Sequence, residues 1–287
     1  MRGPKYSEIL SQLDNLKKLY PDLVTVIDYG KSVQGRVLRM VTVMKKNTGH
    51  LHHPALLMSG STHGNEYLNI EDRLPGEIAQ KGRSNGVVKQ FLDKGGAFVF
   101  IPILNPDGYE THSRENAHGV DLNRDWDVPP AGFKGFKEKE TRELADQVEK
   151  LFQEQRLKFE ITVDYHCCIG ALLHPWSFKD GPLVSPEKIS RFKEVGAMVT
   201  RHLNVNVGTT GQILGYNPSG TTKDYYFQKY QALSFTYEGK HQTEPAQFPE
   251  HVAWWEEMIK MVNGSLTQPF VSSWPVAKTG PMKYFAD

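Results

Sequence analysis

The sequence predicts a single α/β domain, a mixed sheet flanked by helices, on three grounds. Apolar strand-like runs alternate along the chain with longer stretches of helical periodicity, the pattern of strands packed between helices. The 287 residues are 39% hydrophobic and 11% aromatic, enough to bury one sizeable core, and no linker-like break divides them. Polar motifs follow directly on apolar runs, where open α/β sheets place their ligands.

The first element is an amphipathic helix with Ile9, Leu13, Leu16 and Leu19 on one stripe, stopped by Pro21. Strands follow at Val24–Asp28 and Val37–Val43, joined by a turn containing Gly30 and Gly35. Strands near 55–59, 97–102, 159–165 and 232–238 then alternate with helices near 68–80, 137–155, 186–203 and 248–264. Gly82-Arg83-Ser84-Asn85-Gly86 is a surface turn between two helices, and no repeat or low-complexity tract occurs.

Formal net charge is +1 with no basic stripe, which argues against nucleic acid or an anionic membrane surface as a partner. No segment reaches the roughly 18 apolar residues of a membrane span, so no membrane insertion is expected. Residues 1–20 lack the hydrophobic stretch of a signal peptide. The expected location is periplasmic or secreted if a signal has been removed, and otherwise cytoplasmic. The only cysteines, Cys167 and Cys168, are adjacent and staple no long loop.

His63 and Glu66, with two residues between them, follow the run Ala55-Leu56-Leu57-Met58, so both can face one metal ion. Alone this pair is a weak signal, since most such pairs are surface residues. A catalytic zinc takes three protein ligands and keeps a fourth position for water, and the best third candidate is His166. It follows Phe159-Glu160-Ile161-Thr162-Val163-Asp164-Tyr165, a strand that would carry it to the sheet edge. Glu238 ends another apolar strand, where a carboxylate either meets solvent or has work to do. Further polar motifs are Asn105-Pro106-Asp107-Gly108-Tyr109, Arg114, and Gly119-Val120-Asp121-Leu122-Asn123-Arg124.

From about Tyr6 to about Gln268, these motifs occur in the order found in the zinc carboxypeptidases of the carboxypeptidase A type, the funnelins, which the chain resembles. Ser234-Phe235-Thr236-Tyr237-Glu238 is similar to the family's strand bearing the catalytic glutamate, and residues 216–224 to its tyrosine loop and pocket floor. The resemblance implies a mixed, mostly parallel twisted sheet with helices on both faces. It also implies one zinc ion on His63, Glu66 and His166, with Glu238 as general base acting on a zinc-bound water. Arg114 resembles the arginine that stabilises the oxyanion. Asn123 and Arg124 resemble the pair that grips the substrate's terminal carboxylate, to which a guanidinium is suited. Tyr216 resembles the tyrosine that closes over the bound residue, and Gly211, Gly215 and Gly220 would free its loop.

Lys223 occupies the position that resembles the pocket floor, where the family uses an apolar or an acidic residue. A lysine there predicts an acidic partner, unless it turns to solvent at the start of a helix. Asn65 stands where pancreatic members carry an arginine, which weakens the case for extended peptide recognition. The expectation is a monomeric zinc metallocarboxypeptidase, domain 1–269 with a C-terminal extension at 270–287, acting on peptides with a free C-terminal carboxylate and favouring terminal Glu or Asp. The alternatives are a murein-peptide amidase or carboxypeptidase acting at diaminopimelate, and a catalytically inactive peptide-binding protein.

Overall fold

The computed structural model describes residues 3–46, 51–179, 181–240 and 245–266. The amphipathic stretch near the start forms α1 (Tyr6–Leu19), and β1 (Val24–Lys31) and β2 (Val37–Met44) follow as an antiparallel pair. Next come β3 (His53–Gly60), α2 (Leu74–Lys81), α3 (Val87–Asp93), β4 (Ala97–Ile101), α4 (Pro106–Thr111) and α5 (Lys139–Gln153). The second half contains β5 (Leu157–Cys167), β6 (Ala171–His174), α6 (Pro186–Leu203), β7 (Asn206–Thr209), α7 (Thr210–Leu214), α8 (Thr222–Tyr230), β8 (Leu233–Gly239) and α9 (Phe248–Leu266).

One sheet contains all eight strands in the order β1-β2-β4-β3-β5-β8-β6-β7. The central run β4-β3-β5-β8 is parallel, while β1, β2 and β6 supply the antiparallel pairings. Side chains of the central strands alternate between two cores. Leu56, Met58, Phe98 and Phe100 pack with residues of α1, α2, α3, α6 and α9. Ala55, Leu57, Val99 and Ile101 point the other way, toward α5 and the tyrosines of α8. Both faces are therefore buried, which is why β3 and β4 read as continuous apolar runs. The mixed, mostly parallel sheet with helices on both faces is the expected fold.

The chain leaves β3 through α2 and α3 on one face to reach β4, then passes back through α5 on the other face to reach β5, which lies on β3's opposite side. The crossovers diverge around β3, so a crevice opens at the carboxyl ends of β3 and β5, the place where such sheets bind ligands.

The structure departs from the sequence reading in places. Residues 68–73 are not helical, 71–73 forming a turn, and the helix begins only at Leu74. The fully buried Glu71 takes up the backbone N–H groups of Leu68 and Ile70 at 3.0–3.2 Å and holds that segment out of the helix. Leu19 lies in the last turn of α1 and is 65% exposed, whereas Ile9, Leu13 and Leu16 are buried as the stripe requires. The short elements α4, β6, β7 and α7, at four to six residues each, are too brief to carry a periodic signal. Cys167 and Cys168 pair with each other and close no loop. The proposed boundary at 269 and the extension 270–287 lie outside the described residues. No helix among the described residues is long and apolar enough to cross a membrane.

Burial pushes the Glu71 carboxyl up to about 8, against the N–H groups of Leu68 and Ile70 that favour its ionised form. Native Glu71 therefore stays protonated where the unfolded chain has already ionised it. Its contribution to stability is fully present below about pH 4.5 and is lost as pH rises through about 8. Glu71→Gln should remove that part of the pH dependence, so denaturant unfolding of wild type and variant across this window should show the variant gaining relative stability toward alkaline pH. Parallel curves would exclude a protonated Glu71.

Candidate active site

His63, Glu66 and His166 meet at the carboxyl ends of β3 and β5, buried, with one ligand atom from each directed to a common centre. His63 lies three residues past the end of β3, on a turn in which Glu66 N–H donates to the His63 carbonyl at 3.0 Å, so the two side chains converge. Gly64 in this turn presses against α4, and a Cβ there would fall 2.0 Å from the Gly108 carbonyl carbon. Only a residue without a side chain permits that approach. Asn105 caps α4 through Gly108 N–H and its own N–H donates to Ser61 O at 3.1 Å, tying helix and turn together. His166 stands beside Glu238 in the register of β5 and β8.

The two histidines are oriented from behind. His63 Nε2 donates to Asp121 Oδ1 at 2.9 Å, and His166 Nε2 donates to Asp164 Oδ2 at 2.7 Å. With those protons committed, each Nδ1 presents a lone pair to the centre. The Nδ1 atoms are 3.0 Å apart and Glu66 Oε2 lies 2.9 and 3.0 Å from them. Three such ligand atoms at this distance need either a proton or a metal cation among them. A tetrahedral zinc site separates its ligands by about 3.3 Å, so the donor set and its spacing fit that ion.

The charges agree with this arrangement. Burial alone would raise the Glu66 carboxyl, but its bonds to His166 and His63 hold it well below the usual carboxylate range. Burial likewise acts against ionised Asp121, and His63, Arg114 and Arg124 outweigh it to keep the group strongly acidic. For His166 burial favours the neutral ring, yet Asp164 and Glu66 raise its pKa well above the ordinary value. The field that draws a proton onto His166 is the field that attracts a metal dication.

The other residues expected at the site line the same cleft, a cavity of about 200 Å3. Arg114 spans from Asp121 Oδ2, at 2.8 Å, to Glu66 Oε1 and His63 Nδ1, each at 3.2 Å, so its guanidinium sits at the edge of the centre. Asn123 accepts Thr222 N–H at 3.0 Å and the Thr222 hydroxyl at 3.1 Å on Oδ1, which leaves its amide N–H groups to face a ligand. Arg124 reaches to within 3.5 Å of the Tyr216 hydroxyl across the cleft mouth, and Tyr216 is 47% exposed. The glycines near Tyr216 have defined places in the fold. Gly211 lies within α7, Gly215 ends that helix in the left-handed conformation, and a Cβ on Gly220 would meet Phe133 at 2.5 Å.

Lys223 does not turn to solvent. It is 2% exposed at the start of α8, and its Nζ donates to Thr210 Oγ1 at 2.9 Å on the cleft floor. A buried cation at a helix N-terminus opposes both desolvation and the helix dipole, the kind of local cost that marks a working residue. Burial lowers its pKa, countered by Asp224 and Glu238. Burial also raises the Glu238 carboxyl and Glu66 adds to this, while His166, His63 and Lys223 pull it down.

The zinc carboxypeptidase family model matches residues 9–260. This chain belongs to the zinc carboxypeptidases. It is 24% identical over 268 residues to Carboxypeptidase B of Helicoverpa zea, covering 79% of this chain and 60% of that one. The chain thus spans three-fifths of that relative's length. It is also 25% identical over 234 residues to Inactive metallocarboxypeptidase ECM14 of Ajellomyces capsulatus, covering 69% of this chain and 37% of that one. The fold matches that of thrombin activatable fibrinolysis inhibitor, with a TM-score of 0.74 at 21% identity over 89% of this chain and 73% of the other.

Asp121 and Asp164 were not among the residues singled out from sequence. Asp164 lies two residues before His166 but takes its turn after Glu160 and Thr162 in an alternating strand, so little in the sequence marks it; in the structure Ser59, Thr62 and His166 all bond its carboxylate. Asp121 gives no signal either, because its role depends on a loop folding back to His63. In this zinc carboxypeptidase, Asp164→Asn should let the ring of His166 lose its fixed tautomer and weaken zinc binding by about 10- to 100-fold, as loss of such outer partners does. A competition titration with a chromophoric chelator measures this, with circular dichroism as the check on folding; unaltered affinity would make Asp164 a purely structural residue.

Proposed function

We propose that this chain hydrolyses the C-terminal peptide bond of peptides as a zinc metallocarboxypeptidase, with an acidic terminal residue favoured. The observation that carries this reading is the set of three facing acceptors, His63, Glu66 and His166, with Glu238 beside them and Arg124 and Asn123 across the same cleft. Zinc bound by those three residues would supply Lewis acidity for a water and for the peptide carbonyl.

The remaining roles belong to the protein's own side chains. Asn123 and Arg124 pair with the substrate's terminal carboxylate, the guanidinium through two parallel bonds, and so admit only chain ends. Tyr216, at the rim beside Arg124, covers the bound residue and limits its contact with water. Glu238 accepts a proton from the attacking water and returns one to the leaving amine, and burial, which raises its carboxyl, favours taking that proton up. Arg114, held at the edge of the centre by Asp121, faces the oxygen on which negative charge develops.

Lys223 extends the reading to the substrate. Its ammonium lies in a cleft whose walls include Leu173, Leu214 and Pro218, so an acidic side chain entering there exchanges water for a fixed cation. The second carboxylate of a diaminopimelate-like residue would meet the same ammonium, and the kinship with Inactive metallocarboxypeptidase ECM14 keeps a binding role within the test.

The test is cleavage of peptides differing only in the last residue, Glu, Phe, Lys or diaminopimelate, by zinc-loaded protein with and without a chelator. Chelator-sensitive release of Glu is the expected result, and release of diaminopimelate alone would transfer the assignment to cell-wall peptides. No cleavage of any peptide, with binding retained, would leave a peptide-binding protein. Glu238→Gln should keep zinc and peptide affinity while turnover falls about 10²- to 10⁴-fold, and a wild-type rate would remove Glu238 from the chemistry. Lys223→Ala should weaken kcat/KM for Glu-ended peptides by about 1–3 kcal/mol with little change for Phe; equal losses would dismiss Lys223 as the anchor.

A further inference from the structure

The cleft floor holds a second polar group that none of these roles uses. Thr236 lies two residues before Glu238 on β8, on the same face of the strand, and lines the cleft. It is 2% exposed, and its hydroxyl has no hydrogen-bond partner among the described residues. The next hydroxyl along that face, Ser234, is bonded to Thr162 at 2.6 Å. Buried hydroxyls are normally satisfied, and Thr236 is one of a few here that are not and the one of them that lines the cleft.

Neighbouring strands do not supply a partner. Thr236 is registered between Asp164 of β5 and Leu173 of β6. Both Asp164 oxygens are already engaged by Ser59, Thr62 and His166, and Leu173 is apolar. Lys223 approaches from α8 and donates to Thr210 alone among the described residues, so two of the three N–H bonds of its ammonium remain for a ligand. The pocket thus has apolar sides, and at its floor a cation and a hydroxyl donor that share no acceptor. Thr236 lies about 7 Å along the strand from Glu238, deep enough to meet the end of a substrate side chain rather than the reacting bond.

We infer that Thr236 is a specificity residue, its hydroxyl donating to one oxygen of the terminal residue's side-chain carboxylate while the Lys223 ammonium pairs with that same group. This inference rests on Lys223 being the anchor for an acidic terminal residue. One cation alone would attract any anion; the added donor gives the carboxylate two fixed contacts and selects its planar, two-oxygen shape.

The experiment compares zinc-loaded wild type with Thr236→Val, which keeps shape and removes the hydroxyl, Thr236→Ser, which keeps the hydroxyl, and Lys223→Met. It reads kcat/KM for peptides ending in Glu and in Phe, and calorimetric binding of both peptides so that a protein without turnover is read equally. Thr236→Val should lower the Glu value about 10- to 100-fold, as loss of a bond to a charged group does, and leave Phe unchanged or raised, with Thr236→Ser retaining the Glu preference. If Lys223→Met abolishes the preference for Glu and Thr236→Val leaves it intact, the lysine assignment stands and the role of Thr236 is overturned. If wild type shows no preference for Glu, or Lys223→Met leaves it unaltered, both fall together.

Discussion

Two imidazole nitrogens and a carboxylate oxygen held about 3 Å apart form an arrangement that is unfavourable without a proton or a metal cation at its centre, and the rest of this molecule is arranged around that constraint. Asp121 and Asp164 fix the rings so that both Nδ1 atoms face inward. Gly64 allows the turn with two of the ligands to lie against α4, and Asn105 secures the contact. Since Asp164 also bonds Ser59 and Thr62, one buried carboxylate joins the ends of β3 and β5 as well as orienting His166. The ligand set and the central sheet therefore stabilise one another, as coupling between metal binding and folding requires.

The sheet determines where this can occur. The crossovers diverge around β3, so the carboxyl ends of β3 and β5 open on a crevice instead of being covered by a helix. β8 lies next to β5 in parallel, bringing Glu238 level with His166. The long segment between α4 and α5 returns over this edge and delivers Arg114, Asp121, Asn123 and Arg124 to one side of the cleft. Its course is fixed by Asp125, which accepts Lys137 N–H, Glu138 N–H and the Thr141 hydroxyl at 2.5–3.0 Å.

Charge is graded through the cleft. Guanidinium groups stand at the mouth, the acceptor triad at the centre, and a buried ammonium at the floor between apolar walls. A ligand with a carboxylate at its end and another on its side chain complements both cationic positions, and a neutral interior peptide segment complements neither. Family membership supplies the zinc carboxypeptidase frame. The floor of the cleft is a feature of this chain's own residues, where Lys223 is bonded to Thr210 and the Thr236 hydroxyl has no partner among the described residues.

Sequence by itself was sufficient for the long elements and for the metal-site candidates. The elements follow from the periodicity of α1, α5, α6 and α9 and the apolar runs of the central strands, whereas the metal-site candidates, weak as local signals, gained weight from the order of motifs shared with the zinc carboxypeptidases. It misled at residues 68–73, where the periodicity is helical but the buried Glu71 captures the backbone donors. It also misled at Leu19, where α1 runs past the edge of the core. Asp121, the depth of Lys223 and the partnerless hydroxyl of Thr236 were decided by tertiary structure alone. A side chain's neighbours across the sheet and from returning loops are set by strand order and crossover direction, and no spacing within the chain encodes them.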